Sequence, residues 1–147
     1  LWLRLLACSQ LIEKRVRAGL REHFDTTLPR FDLMAQLERH PEGLKMKELS
    51  HRLMVTGGNV TGITDQLVAE GLVERVAVDG DRRAFRVRLT PAGQTSFAAM
   101  AEQHEQWIVE AFADLPARDV DQLHRLLGRL KQSQIEINRR LQADELE

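Results

Sequence analysis

Residues 44–93, LKMKELSHRLMVTGGNVTGITDQLVAEGLVERVAVDGDRRAFRVRLTPAG, decide how this chain is read. Met46, Leu49 and Leu53 recur at helical spacing, which predicts a short amphipathic helix over 44–53. Thr56 is the expected N-cap of a second helix, whose Val60, Ile63, Leu67 and Val68 face inward and which Gly71 stops. Leu72 to Val78 predicts a strand and Asp79-Gly80 a tight turn. Phe85, Val87 and Leu89 then alternate with Arg86 and Arg88, giving the hairpin an apolar face and a cationic one. Thr90 and Pro91 cap and open a further helix. Two helices across a turn, followed by a basic hairpin, predict a winged helix-turn-helix. In that arrangement the second helix suits a major groove, and the hairpin suits phosphates or the minor groove beside it.

Helical patterns flank this head. From Trp2 to about Phe24, Leu5, Leu6, Ile12, Val16 and Leu20 keep helical spacing until Asp25-Thr26-Thr27 breaks it. Pro29 opens a second helix with Phe31, Met34 and Leu37 on its inner face, ended by His40-Pro41-Glu42-Gly43. After Gly93, Phe97, Met100, His104, Trp107 and Ala111 share one helical face. A last helix follows Leu115-Pro116, with Val120, Leu123, Leu126, Leu127, Leu130, Ile137 and Leu141 spaced by threes and fours and Gln134 interrupting. Such a stripe needs a partner surface, and the economical one is a second copy packed through the terminal helices. The expected fold is mainly α with a small β-hairpin wing. One domain of residues 1–147 would hold the winged helix-turn-helix at 44–93 and dimerisation helices at 1–24 and 94–147.

Composition sets the outer bounds. The chain has 147 residues, 43% of them hydrophobic, and a formal net charge of −1, so any nucleic-acid reading has to rest on local charge. No apolar run approaches the ~20 residues of a membrane span, and Leu1 to Leu6 carries Arg4 without a signal-peptide cleavage pattern, so a cytoplasmic protein is expected. One cysteine, Cys8, excludes an intrachain disulfide framework and is read as a small buried apolar residue. No glycine-rich phosphate loop, nucleophile elbow or paired-carboxylate motif is present, so an enzyme is not expected, nor a cofactor. The five histidines lack short metal-binding spacing, and no metal site is assigned.

The residues placed against DNA begin at the second helix of the head. Asn59 can bond adenine bidentately, while Thr56, Thr61 and Thr64 can meet phosphate or a thymine methyl. Gly57 and Gly58 would let backbone amides approach phosphate at the helix N-terminus. No Lys or Arg occurs from Leu53 to Glu74, so electrostatic attraction must come from the hairpin. There Arg75, Arg82, Arg83, Arg86 and Arg88 outnumber Asp79 and Asp81.

The succession Asn59-Val60-Thr61, Asp65-Gln66-Leu67, Glu70-Gly71-Leu72-Val73-Glu74-Arg75, Asp81-Arg82-Arg83 and Leu89-Thr90-Pro91-Ala92-Gly93 resembles the MarR family of bacterial transcriptional regulators. The resemblance is strongest over 44–93 and extends through helix order to nearly the whole chain. It implies a homodimer with two winged heads on a pseudo-palindromic duplex, Arg83 in the minor groove, Asp81 bracing the wing arginine, and Asn59 and Thr61 on the reading helix. The sequence departs from the family pattern at Gly62, where many members carry a basic residue, and at Met54, where many carry glycine.

The resemblance also implies a small effector bound where the dimer helices meet the head. Ser9, Arg17, His23, Arg30, His104 and Trp107 could face that junction, with an arginine for a carboxylate and the tryptophan for a ring. The expected effector is an aromatic carboxylate or its thioester, and release from DNA would make the protein a repressor. The alternatives are a metal- or oxidant-responsive regulator of the same fold, or a winged-helix protein-interaction module. The absence of tyrosine weighs against a thiol sensor, because the best-known thiol sensors of this type orient the thiol with tyrosine hydroxyls.

Overall fold

A computed structural model describes residues 1–53, 59–78 and 80–144, with the side chains of 81–83 and 144 outside the description. The described elements run α1 (Trp2–Phe24), α2 (Leu28–Glu38), β1 (Leu44–Lys45), α3 (Met46–Arg52), α4 (Val60–Ala69), β2 (Val73–Val78), β3 (Asp81–Leu89), α5 (Pro91–Ala111) and α6 (Ala117–Asp144). The strands form one antiparallel sheet in the order β1-β3-β2. This is the mainly helical winged helix-turn-helix fold that the sequence predicts.

Each helix boundary has a local cause. Helix α1 ends at Asp25, in the left-handed region at φ 49°, and Thr26 N–H donates back to the Leu20 carbonyl over 3.3 Å. Thr27 caps α2 by accepting from Arg30 N–H, and Pro29 occupies its first turn, where a missing N–H costs nothing. Gly71, at φ +73°, ends α4, and the following Leu72 N–H donates to the Leu67 carbonyl at 3.0 Å.

Two boundaries differ from the sequence reading. Leu44 and Lys45 are not the start of a helix but a short strand, Leu44 paired with Val87 and Lys45 with Arg86. The preceding Gly43, at φ +90°, turns the chain onto the sheet, and a Cβ there would lie 2.8 Å from the Val87 carbonyl oxygen. Helix α4 begins at Val60 with Asn59 as its N-cap, not Thr56, which lies outside the described residues.

Residues 1–108 form one compact unit. Its core joins Val16 and Leu20 of α1 to Phe31, Leu33, Met34 and Leu37 of α2, Leu49 of α3, Leu67 of α4, Val73 and Val87 of the sheet, and Phe97, Met100 and Trp107 of α5. Burying each such side chain contributes about 1.5–3 kcal/mol. Gly19 lets α1 approach α5 closely, since a Cβ there would fall 2.5 Å from Trp107 Cζ2. Cys8, expected inside, is exposed on α1.

Residues 109–147 form the second unit. The end of α5 and a turn over residues 112–115 lead into α6, which carries Leu126 at 50% exposure, Leu130 at 42%, Ile137 at 42% and Leu141 at 57%. Glu136 pairs with Arg139 and Arg140 along the same helix. No described helix is long and apolar enough to cross a membrane.

Candidate nucleic-acid interface

The amino end of α4 is exposed at Asn59 and Thr61. Asn59 Oδ1 accepts from Gly62 N–H at 3.0 Å, which satisfies one of the free amides of the first turn. A Cβ at position 62 would lie 2.8 Å from Asn59 Nδ2, so glycine leaves the room in which the amide folds over the helix. Held this way, Asn59 points its oxygen at the first-turn amide of Gly62 and lays its NH2 over that glycine. The cap uses one of the two lone pairs of Oδ1, so the bidentate adenine contact expected of Asn59 is compatible with it. Thr64 is corrected outright: it is fully buried, and its hydroxyl donates to the Val60 carbonyl at 2.7 Å, so it faces the core. Thr56, Gly57 and Gly58 lie outside the described residues.

The hairpin arginines divide by partner. Arg75 pairs with Asp65 of α4, and its guanidinium lies 5.4 Å from the centre of the Phe85 ring. Arg88 donates to Glu74 at 2.7 Å, directly across the strand pair. Arg86, assigned to DNA from the sequence, is half-buried and donates to the Gly43 carbonyl at 3.2 Å, so it ties the wing to the β1 turn. Three of the five arginines thus brace the fold. The side chains of Asp81, Arg82 and Arg83 lie outside the description, so the positive charge of the wing tip is read from sequence alone.

The wing is rooted by the Leu-Thr-Pro-Ala-Gly stretch. Thr90 Oγ1 donates to the Gly71 carbonyl at 2.6 Å and accepts from Gly93 N–H at 3.0 Å, joining the end of α4 to the start of α5. Gly93 is buried, and a Cβ there would fall 1.9 Å from the Leu72 carbonyl oxygen. Only glycine permits this approach of backbone to backbone.

Arg30, expected to meet a ligand carboxylate, is already engaged. Its guanidinium forms a two-pronged pair with Glu70, donating to Oε1 at 2.9 Å and also to Oε2. It further donates to Thr26 Oγ1 at 3.1 Å and makes a long contact of 3.5 Å to Gln66 Oε1. The pairing holds the Glu70 carboxyl below its usual range. The sequence does not single out their pairing with Arg30, because a contact between positions 30 and 70 leaves no periodic trace.

The other effector candidates fall into two groups. His104 stacks on Phe31 with ring centres 4.8 Å apart, and His23 lies 5.9 Å from the Trp107 ring, so aromatic side chains of α1, α2 and α5 converge. Burial lowers the His104 pKa, leaving a neutral ring rather than a cation at pH 7. Ser9 is exposed and donates to the Leu5 carbonyl, while Arg17 is exposed and paired with Glu13 at 2.6 Å. Asp32, absent from the sequence candidates, is half-buried on α2, and its pKa is raised to about 6 by burial, with Arg17 opposing and Glu13 adding to the shift. A separate cleft of about 370 Å³ is lined by Leu37, Glu38, Pro41, Leu89, Gln94 and Phe97, among others, and none of the six sequence candidates lines it. Among the described residues no group of three or more His, Cys, Asp or Glu side chains could hold a metal ion.

Comparison with known proteins agrees with this geometry. A profile of the MarR family matches residues 24–84. The crystal structure of a MarR family transcriptional regulator from Silicibacter pomeroyi superposes with a TM-score of 0.77 at 32% identity, over 90% of this chain and 91% of that one. The chain belongs to the MarR family of transcriptional regulators. Apo MarR from E. coli shares the fold, with a TM-score of 0.76 at 24% identity over 88% of this chain and 96% of that one. The HTH-type transcriptional regulator PecS of Dickeya dadantii is 26% identical over 103 residues, 69% of this chain. The chain spans 62% of the length of PecS. Both fold and family are those of MarR-type regulators rather than of enzymes.

Proposed function

We propose that this MarR-family chain acts as a homodimer that binds a pseudo-palindromic DNA operator and releases it on binding a small effector. The observation that carries the reading is the exposed Asn59–Thr61 end of α4 beside a hairpin whose tip sequence is Asp81-Arg82-Arg83. Arg75, Arg86 and Arg88 have partners within the fold, and the reading assigns phosphate or the minor groove to Arg82 and Arg83. Asp81 would brace them. Thr61 and the Asn59 NH2 would meet base edges, with Gly57 and Gly58 close to phosphate.

The exposed leucines of α6 support the dimer, because a stripe of that extent is costly to leave in water. The converging rings of Phe31, His104, His23 and Trp107 support an aromatic effector, and Arg17, rather than Arg30, is the guanidinium free of α4 that could meet its carboxylate. Loss of operator affinity on binding would make the protein a repressor. The exposure of Cys8 favours one second reading, an oxidant-responsive switch.

Selection of duplexes from a randomised pool, followed by gel retardation with aromatic acids, their coenzyme A thioesters, zinc and organic peroxide, tests these assignments together. The account expects a two-fold symmetric site released by an aromatic compound. Release by peroxide alone transfers the effector assignment to Cys8, release by zinc alone transfers it to a metal, and a pool with no selected sequence rejects the DNA reading.

A further inference from the structure

The clamp between Arg30 and Glu70 joins three parts of the head that sequence keeps far apart. Thr26 lies at the corner between α1 and α2, Arg30 in the first turn of α2, and Gln66 and Glu70 at the carboxyl end of α4. Arg30 contributes a rigid planar fork, engaged by both carboxylate oxygens of Glu70 and by the Thr26 hydroxyl. The Arg30 side chain is only 16% exposed, whereas Glu70 is 46% exposed. A two-pronged pair fixes orientation as well as distance, and here it fixes the carboxyl end of the helix whose amino end carries Asn59 and Thr61. The amino end of α4 is capped by its own Asn59, and the Arg75–Asp65 pair ties its middle to the wing. Arg30 links the carboxyl end of α4 to the corner between α1 and α2, next to the Thr90–Gly71 contact that joins it to α5.

We infer that Arg30 is a positioning residue for DNA recognition, holding α4 through Glu70 at the angle that lets both heads of a dimer engage one duplex. The inference rests on the DNA-binding reading above. A small rotation about the carboxyl end of a ten-residue helix displaces its amino end by several ångströms, because the helix rises about 1.5 Å per residue. Opening the clamp therefore costs specific contacts in both half-sites while leaving the phosphate attraction of the wing intact.

This assignment separates from a plain charge effect by sign. Glu70 is an acid, and removing an acid from a DNA-binding head on charge grounds alone raises affinity for every duplex. The positioning role predicts the reverse for the selected site. The test uses a duplex selected by the wild-type chain from a randomised pool, a scrambled duplex of the same length, and the variants Glu70→Ala, Arg30→Lys and the exchange of both (Arg30→Glu with Glu70→Arg). Glu70→Ala is expected to bind the selected duplex about tenfold more weakly and the scrambled duplex no more weakly, with unchanged helical content. Arg30→Lys, which keeps the charge but lacks the fork, is expected to follow it. The exchanged pair should recover selectivity relative to either single change. Equal or tighter binding of the selected duplex by Glu70→Ala, or an exchanged pair no better than the single variants, overturns the clamp alone. A wild-type chain that selects no duplex overturns the DNA-binding reading beneath it.

Discussion

Replacing Asp32 by asparagine should stabilise the protein at pH 8 and leave it unchanged near pH 4. Burial raises the Asp32 carboxyl from 3.8 to about 6, with Arg17 pulling it down and Glu13 pushing it up. The folded state therefore holds the proton more tightly than the unfolded chain does. Stability from this group is complete below about pH 4, falls as pH rises through 6, and stays low above it. A carboxyl moved from 3.8 to about 6 weakens the fold at pH 8 by at most about 3 kcal/mol. Asp32 is half-buried rather than fully enclosed, which places the expected gain at about 1–2 kcal/mol. Urea denaturation at fixed protein concentration, run at pH 4, 6 and 8, reads the difference directly, because a shared m-value turns midpoints into free energies. A gain that is the same at all three pH values would assign the effect to packing instead. A loss of stability at pH 8 would mean that Arg17 dominates, and would refute the reasoning.

Other substitutions probe separate parts of the account. Gly93→Ala drives a methyl group into the Leu72 carbonyl, 1.9 Å away, and should cost about 3 kcal/mol in denaturant unfolding; a midpoint equal to wild type would mean that α5 moves freely against the sheet. Asn59→Ala should cost about 1 kcal/mol by removing the α4 cap, whereas Asn59→Ser should keep that stability and still lose base preference at one position of each half-site. If Asn59→Ser retains the wild-type selection profile, the Asn59 amide does not read a base. Leu126→Asp with Leu130→Asp should give monomers or unfolded chains in sedimentation, since the two leucines are half-exposed in the single chain and the change would bury charge in the dimer. A wild-type chain that sediments as a stable monomer at micromolar concentration would remove the basis of that prediction.

Punctuation was the most legible part of the sequence. Gly71, Thr90 and Pro91 act where they were expected to, because helix ends are set by local backbone chemistry. The β1 strand was hidden because two residues carry no period, and its pairing partner lies more than forty residues away at Val87. The hydroxyl of Thr64 suggests a surface role, but its phase decides its place: it stands four residues after Val60 and shares the inward face. The wing shows the same limit. Counting arginines gives the charge of a segment, but it does not show that Asp65, Glu74 and the Gly43 carbonyl engage Arg75, Arg88 and Arg86. The Arg30–Glu70 clamp has no local signature at all, and it engages an arginine that chemistry alone assigns to a ligand.

The central claim is that a dimer of this chain recognises a two-fold symmetric duplex through α4 and is held to it by the wing. The most direct test is affinity for a selected duplex as a function of salt, for wild type and Arg83→Ala. The account predicts half-sites centred about one helical turn apart, and a linear fall of log affinity with log salt. Arg83→Ala should flatten that slope by about 0.9 for each phosphate the arginine neutralises, one in each subunit, while leaving the preferred sequence unchanged. An unchanged slope with an altered sequence preference would contradict the division of labour between wing and helix, and the absence of any salt-sensitive selective binding would contradict the claim itself.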